Sequence, residues 1–247
     1  MKNIFTLLFI PVIATGLLLA CKKDNGHPIV SSSLTIVNAL WAGDTLVTNF
    51  NPQPGVKTDS FSYTRAGFVV PNNFQEFPGY FGNVRLSLSQ IDDTTHTVYN
   101  GSMNIGAGTT HTLFIAGSPA APDSLFTTDQ VPVIKDTSFG IRFVNLLSGN
   151  IPVSVDVTGG NTLNGSLPYK GITPWQVLSA ASANSVYPAY TFEFRDASTS
   201  TVLASRTIVP VDPRAVSIYT KSVTLVLKGN PDSTGINGPA TILVNNY

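Results

Sequence analysis

The stretch GIRFVNLLSGNIPVSVDVTG, residues 140–159, decides the fold class. Ile141 and Phe143 alternate with Arg142 and Val144. After a polar break at Ser148, Gly149 and Asn150, Val153, Val155 and Val157 alternate with Ser154, Asp156 and Thr158. A period of two puts one set of side chains on a buried face, so this segment reads as two half-buried strands and their turn. A fainter copy lies upstream, where Leu34, Ile36, Asn38 and Leu46 recur 107 positions later as Ile141, Phe143, Asn145 and Val153. Val84, Leu86 and Leu88 recur after 106 positions as Tyr190, Phe192 and Phe194, and residues 112–117 recur after 112 as residues 224–229. The chain is a tandem repeat.

Strands are expected in the first copy at 34–38, 46–50, 61–64, 84–88 and 97–99, the last ending in a turn at Asn100 and Gly101. The segment 112–116 follows, then a Pro/Ala/Ser loop over 117–123 and weak strands at 125–126 and 131–134. The second copy reads as strands at 141–145, 153–157, 190–194, 202–209, 224–229 and 241–244, with a middle section over 167–178. Helix is nearly absent, the best segment being 174–183. Short strands with turn signals at intervals of about 8–12 residues describe two tandem Ig-like antiparallel β-sandwich modules, spanning 32–134 and 139–247. Each is long enough to bury a core without disulfide or metal.

Address comes from the first 31 residues. Met1, Lys2 and Asn3 precede an apolar run over 4–19, and Leu18-Leu19-Ala20-Cys21 follows. A basic start, a short apolar core and a small residue before the cut make residues 1–20 a signal peptide. Leu-Leu-Ala-Cys resembles the lipobox of bacterial lipoproteins, which implies cleavage after Ala20 and acylation of Cys21. Cys21 is the only cysteine, so an exported chain offers it no intramolecular disulfide partner. Residues 21–31 form a polar, turn-rich tether. Its Lys22-Lys23-Asp24 resembles signals that carry some Gram-negative lipoproteins to the outer membrane, with the surface and periplasmic faces both open. The expected partner is therefore the membrane, reached through lipid on Cys21, with envelope proteins or glycans as further partners.

The 247 residues hold 14 basic and 14 acidic side chains, with 11% charged residues, which removes the clustered basic excess that nucleic acid requires. His27, His96 and His111 lie far apart and no second cysteine exists, so no metal-ligand spacing appears and no cofactor is expected. His96 and His111 read as solvated strand positions. There is no Gly-x-Ser-x-Gly elbow, and the glutamates Glu76 and Glu193 read as surface rather than as a carboxyl pair. The expectation is a non-catalytic protein, with an envelope hydrolase the least favoured reading.

Aromatic residues offer the remaining contact candidates. Phe77, Tyr80, Tyr187 and Tyr190 precede the longest strands of the two modules, where such rings can stack on sugars or anchor a partner. The competing role is to plug the ends of the sandwiches, and aromatic side chains more often bury. Trp41 and Trp175 are read the same way, and Asn38 and Asn145 as residues that bond their own turn backbone.

The segments Arg142-Phe-Val-Asn-Leu, Pro-Val-Ser-Val-Asp-Val-Thr-Gly and Leu-Pro-Tyr-Lys-Gly-Ile-Thr-Pro-Trp together resemble the bacterial envelope family called domain of unknown function 4397. The second module carries the pattern clearly. The first departs from it at Leu34 and Thr35, where the Arg-bearing start is missing, and in a longer insert before Phe74. Two copies would cover nearly all of the mature chain. The resemblance implies a lipid-anchored envelope protein and supplies no catalytic residue.

Overall fold

The computed structural model describes residues 31–42, 45–50, 69–70, 73–135, 137–181, 188–211 and 217–246. Cys21, Tyr187, His27 and the strand expected over 61–64 lie outside the described residues. The described chain is all-β, with sixteen strands and one 3₁₀ turn at Gly235–Asn237, and it forms a single compact unit from Ser31 onward.

The first module holds β1 (Ser33–Asn38), β2 (Leu46–Phe50), β3 (Val69–Val70), β4 (Phe74–Pro78), β5 (Gly82–Gln90), β6 (Thr97–Ile105), β7 (Thr110–Ser118) and β8 (Ala121–Asp129). The second holds β9 (Ser138–Leu147), β10 (Val153–Val157), β11 (Thr162–Leu167), β12 (Gln176–Ser179), β13 (Tyr190–Asp196), β14 (Val202–Ile208), β15 (Ser222–Gly229) and β16 (Ala240–Asn245). Each module is two four-stranded sheets. Inner sheet 1 runs β4-β1-β7-β8 and inner sheet 2 runs β12-β9-β15-β16; the outer sheets run β3-β2-β5-β6 and β11-β10-β13-β14. Strand for strand the two orders coincide, so the repeat seen in the sequence is a repeat of topology. One pair in each inner sheet is parallel, β1 with β7 and β9 with β15.

The repeat extends to single hydrogen bonds. Trp41 donates its N–H to Gly117 O at 3.0 Å, and Ser148 donates to Gly229 O at 2.9 Å. Ser33 donates to Thr109 O and Gly140 to Lys221 O. Asn38 Oδ1 accepts from Leu40 N–H at 3.4 Å and Asn145 Oδ1 from Leu147 N–H at 3.0 Å, the local bond that an asparagine two residues upstream makes. Asn145 also donates to Ile151 O and Leu167 O, tying β9 to the outer sheet of its own module.

Alternation within each inner strand feeds two cores at once. From β1 and β7, Leu34, Ile36, Leu113 and Ile115 face the first outer sheet and pack with Leu46, Leu86, Leu88 and Ile105. From β9 and β15, Phe139, Ile141, Phe143, Leu225 and Leu227 face the second and pack with Val153, Val155, Phe192 and Phe194. The residues between them point the other way. Val37, Phe114 and Ala116 of the first module meet Val144, Leu146, Val226, Ile242 and Val244 of the second in a third buried cluster. Near-continuous apolar runs such as 141–147 follow from this, because an inner sheet has no solvent face. The body is therefore four sheets deep, and the modules share a core beyond the two of their own.

Several local expectations need correction. Asn100 and Gly101 lie inside β6, with Gly101 paired to Leu86. A Cβ on Gly101 would land on the Tyr99 hydroxyl, so the tyrosine ring lies over the glycine and fills its gap in the sheet. The loop over 117–123 shrinks to a short reversal, because β8 begins at Ala121 and runs nine residues. Residues 131–134 are not a strand; they connect the modules. No α-helix occurs among the described residues, and the segment expected to be helical contains β12.

Candidate functional site

Both ends of the body are defined by the direction of the inner strands. β1, β7, β9 and β15 all run the same way, since Arg142 near the start of β9 meets Asp129 opposite Thr110, and Lys228 near the end of β15 meets Leu40 just past β1. The chain enters the described body at Ser31, so the strand-start end is the entry end and the other is the distal end.

At the entry end Ser32 is held by the β4–β5 turn: its hydroxyl donates to Tyr80 O, and Gly79 N–H donates to Ser32 O at 2.8 Å. That turn is Pro78-Gly79-Tyr80-Phe81-Gly82. Gly79 at φ +88° and Gly82 at φ +80° occupy left-handed backbone that only glycine adopts readily, and the reversal they make sends Tyr80 and Phe81 opposite ways. Tyr80 folds back and stacks on Phe50 with ring centroids 4.1 Å apart, while Phe81 stands 68% exposed. Phe77, in β4 rather than on a loop, is buried in the first core edge-on to Phe50. Tyr190 opens β13 at the same end, packs against Phe139 and Phe192, and donates its hydroxyl to Ser179 O at 2.9 Å. Burial pushes the Tyr80 and Tyr190 hydroxyls above their usual range. The structure thus brings Tyr80 and Tyr190 to one end as partly buried plugs and buries Phe77. The most exposed of the described aromatics there is Phe81, which the alternation rule did not single out; its signal was the pair of glycines bracketing it.

The turns at the two ends differ in charge. Among the described residues, the entry-end turns carry only Lys135 and Lys221, with Asp129 buried behind them. The distal turns carry Asp92, Asp93, Asp196 and Asp232. Asp93 accepts hydrogen bonds from the Thr95 hydroxyl and His96, which lower it to about 2, and Asp196 is lowered by Ser198 and Thr199. The Asp93 and Asp196 carboxylates therefore stay ionised at any physiological pH.

Between the modules lies a buried polar lock. Arg142 Nη2 stands 2.7 Å from Asp129 Oδ1 across the shared core, both side chains being at most 4% exposed. The contact is an ion pair whose N–H is not aimed along the hydrogen-bond axis. Each partner is steadied from its own side: Thr112 donates to Asp129 Oδ2 at 2.5 Å, and Arg142 Nε donates to Thr224 Oγ1 at 2.8 Å. Thr224 in turn donates to Asn246 Oδ1, and Trp175 covers the guanidinium at 4.6 Å. Lys228, its pKa lowered by burial, donates to Leu40 O at 3.0 Å, and Lys170 Nζ lies 2.5 Å from Asp123 Oδ1.

His111 is buried rather than solvated. It stacks on Phe126 at 5.1 Å, with Thr109 Oγ1 2.7 Å from Nε2 and Thr128 Oγ1 3.2 Å from Nδ1. Glu193 lies on the outer face of its sheet, paired with Arg195, which also approaches Asp156 at 3.6 Å. No group of three or more His, Cys, Asp or Glu able to hold a metal occurs among the described residues, and no helix there is long and apolar enough to cross a membrane. No family model matches the chain, and no curated protein matches it.

Proposed function

We propose that this chain is a non-catalytic lipoprotein of the Gram-negative outer membrane, acylated on Cys21, whose two Ig-like modules act together as one rigid spacer. The observation that carries the reading is the sole cysteine at the end of Leu18-Leu19-Ala20-Cys21, followed by a polar tether that leads directly into β1. A single acyl chain binds a bilayer only reversibly, so the several chains of a mature lipoprotein supply the hold. The shared third core and the buried lock support rigidity, because the modules cannot separate without exposing both. A rigid body on a short tether keeps its distal turns within a bounded distance of the membrane. Binding or adhesion by those turns, to envelope proteins, fits the same arrangement, as does membership of the domain of unknown function 4397 family. The glycan-binding reading has less support, since of the rings it would use Phe77 is buried and Tyr80 and Tyr190 are packed plugs at the tether end, Tyr187 lying outside the described residues.

Replacing Cys21 by Ser tests the anchor. The expected outcome is loss of metabolic fatty-acid labelling and release of the protein from the membrane fraction. Persistent labelling of the Cys21→Ser protein would refute it.

A further inference from the structure

We infer that the entry end of the body docks on the bilayer itself, with Phe81 inserted at the lipid interface, so that the protein stands upright rather than tumbling on its tether. The inference rests on the proposed anchoring through Cys21 and adds to it an orientation and a contact residue.

Three observations lead there. First comes distance. Residues 21–31 can span at most about 40 Å. They end at Ser31, and its neighbour Ser32 is hydrogen-bonded to the turn that carries Phe81. Phe81 is therefore held as near the membrane as any part of the described body. The second observation is chemistry. Phe81 is 68% exposed with no packing role, and Val133, 83% exposed, lies at the same end, in the connection that leaves β8 and leads to β9. Tyr219, 39% exposed, precedes β15 there. Aromatic and aliphatic side chains in that position lose water contact by entering the interfacial zone. The third is charge. The described entry-end turns carry Lys135 and Lys221 and no exposed carboxylate, whereas the distal turns carry Asp92, Asp93, Asp196 and Asp232. An anionic bilayer repels the described distal turns more than the described entry-end turns. Exposed Ile91, Val202 and Ile236 at the distal end lack both the tether and this charge pattern.

Acylation of Cys21 leaves the protein without a free thiol, so a cysteine placed elsewhere takes a fluorescent probe uniquely. The experiment uses full-length acylated protein in vesicles of phosphatidylethanolamine and phosphatidylglycerol at 3:1, labelled at Phe81→Cys, at Val133→Cys or, for comparison, at Ile236→Cys. On vesicles, iodide quenching at positions 81 and 133 should fall about fivefold or more, since removing a Phe-sized apolar group from water shifts its partition on the order of tenfold. Quenching at 236 should stay unchanged. Protein that floats with vesicles while positions 81 and 133 remain as wet as 236 overturns the docking and leaves the anchor standing. Protein that fails to float overturns the anchor reading, and the docking with it.

Discussion

The two modules share every strand and many individual hydrogen bonds, yet the faces they press together have opposite charge. Arg142 of the second module corresponds to Thr35 of the first, and Lys228 to Ala116. In the other direction, Asp129 of the first corresponds to Asn246 of the second, as the pairings Thr110 with Asp129 and Ser222 with Asn246 place them. Thr112 donates to Asp129 as Thr224 donates to Asn246, so the hydroxyl-to-acceptor bond is common to both modules and only the charge differs. Among the described residues, the cations that cross the junction, Arg142, Lys170 and Lys228, come from one module and their carboxylate partners, Asp123 and Asp129, from the other. Two identical inner faces would bring like groups together; the divergence makes the junction heterotypic and disfavours a face meeting its own copy.

The largest test of that difference is to remove one charge from the lock. Arg142→Met leaves the Asp129 carboxyl in the shared core without its partner, and should cost about 3–5 kcal/mol in urea unfolding. Asp129→Asn strands the guanidinium and should cost a similar amount. The double variant, which gives the first module the asparagine that the second already has, should recover most of the loss. The coupling between the two sites should then exceed about 2 kcal/mol. Unfolding followed by far-ultraviolet dichroism and by the fluorescence of Trp41 and Trp175 should coincide in one transition. Separate transitions for the two modules would show that the junction does not bind them into one body.

Which parts of this were legible beforehand follows from where the information sits. Alternation and the repeat were local signals, and the pairs Leu34 with Ile141 and Leu86 with Phe192 fall on matching strands as the displacements require. The ends of β8 and β11 were not legible, because residues such as Pro122, Asp123 and Asn164 have weak strand preference and pair only because β7 and β10 offer an edge. The lock was invisible for a different reason. Arg142 reads as the outward residue of a half-buried strand, and only the arrival of a second sheet on that side makes it buried. Its one trace was the apolar company it keeps, with Val144 and Leu146 on the same face. The candidate contact residues show the reverse problem: a tyrosine beside a glycine looks presented, and packing by Phe50 or Phe139 decides otherwise.

An intermediate effect tests whether the repeat is energetic as well as geometric. Gly117 at φ +79° and Gly229 at φ +121° end β7 and β15 at corresponding positions. A Cβ on either would land on a backbone carbonyl oxygen, that of Ala121 in the first module and that of Gly238 in the second. Gly117→Ala and Gly229→Ala should each cost about 1–3 kcal/mol, from left-handed strain and from the displaced strand connection. Thermal denaturation of the two variants should give equal losses within error. A loss at only one site would show that the modules have diverged in how tightly they close this turn.

The smallest effect lies at the exposed edge of the junction, where Asp123 meets Lys170 and Tyr169. Burial alone would raise the Asp123 carboxyl, but hydrogen bonds from Lys170, from the Ser124 N–H and from Tyr169 outweigh it and hold the carboxyl below its usual 3.8. The stabilisation is therefore complete above pH 3.8 and fades as pH falls through the lower folded value. Tyr169, buried and beside the carboxylate, is pushed up to about 12, so its share is complete below pH 10.0 and fades as pH rises toward 12. With both ends of the Lys170 pair more than a third exposed, solvent screening limits the pair to less than about 1 kcal/mol. Asp123→Asn should accordingly lower stability slightly at pH 7 and progressively less as pH falls below 3.8, and 1 M salt should erase most of the difference. The buried Arg142 and Asp129 pair should keep its effect in that salt, because ions do not reach it. If both pairs respond to salt alike, the junction is wetter than the packing of Phe114, Val144 and Val226 around it implies.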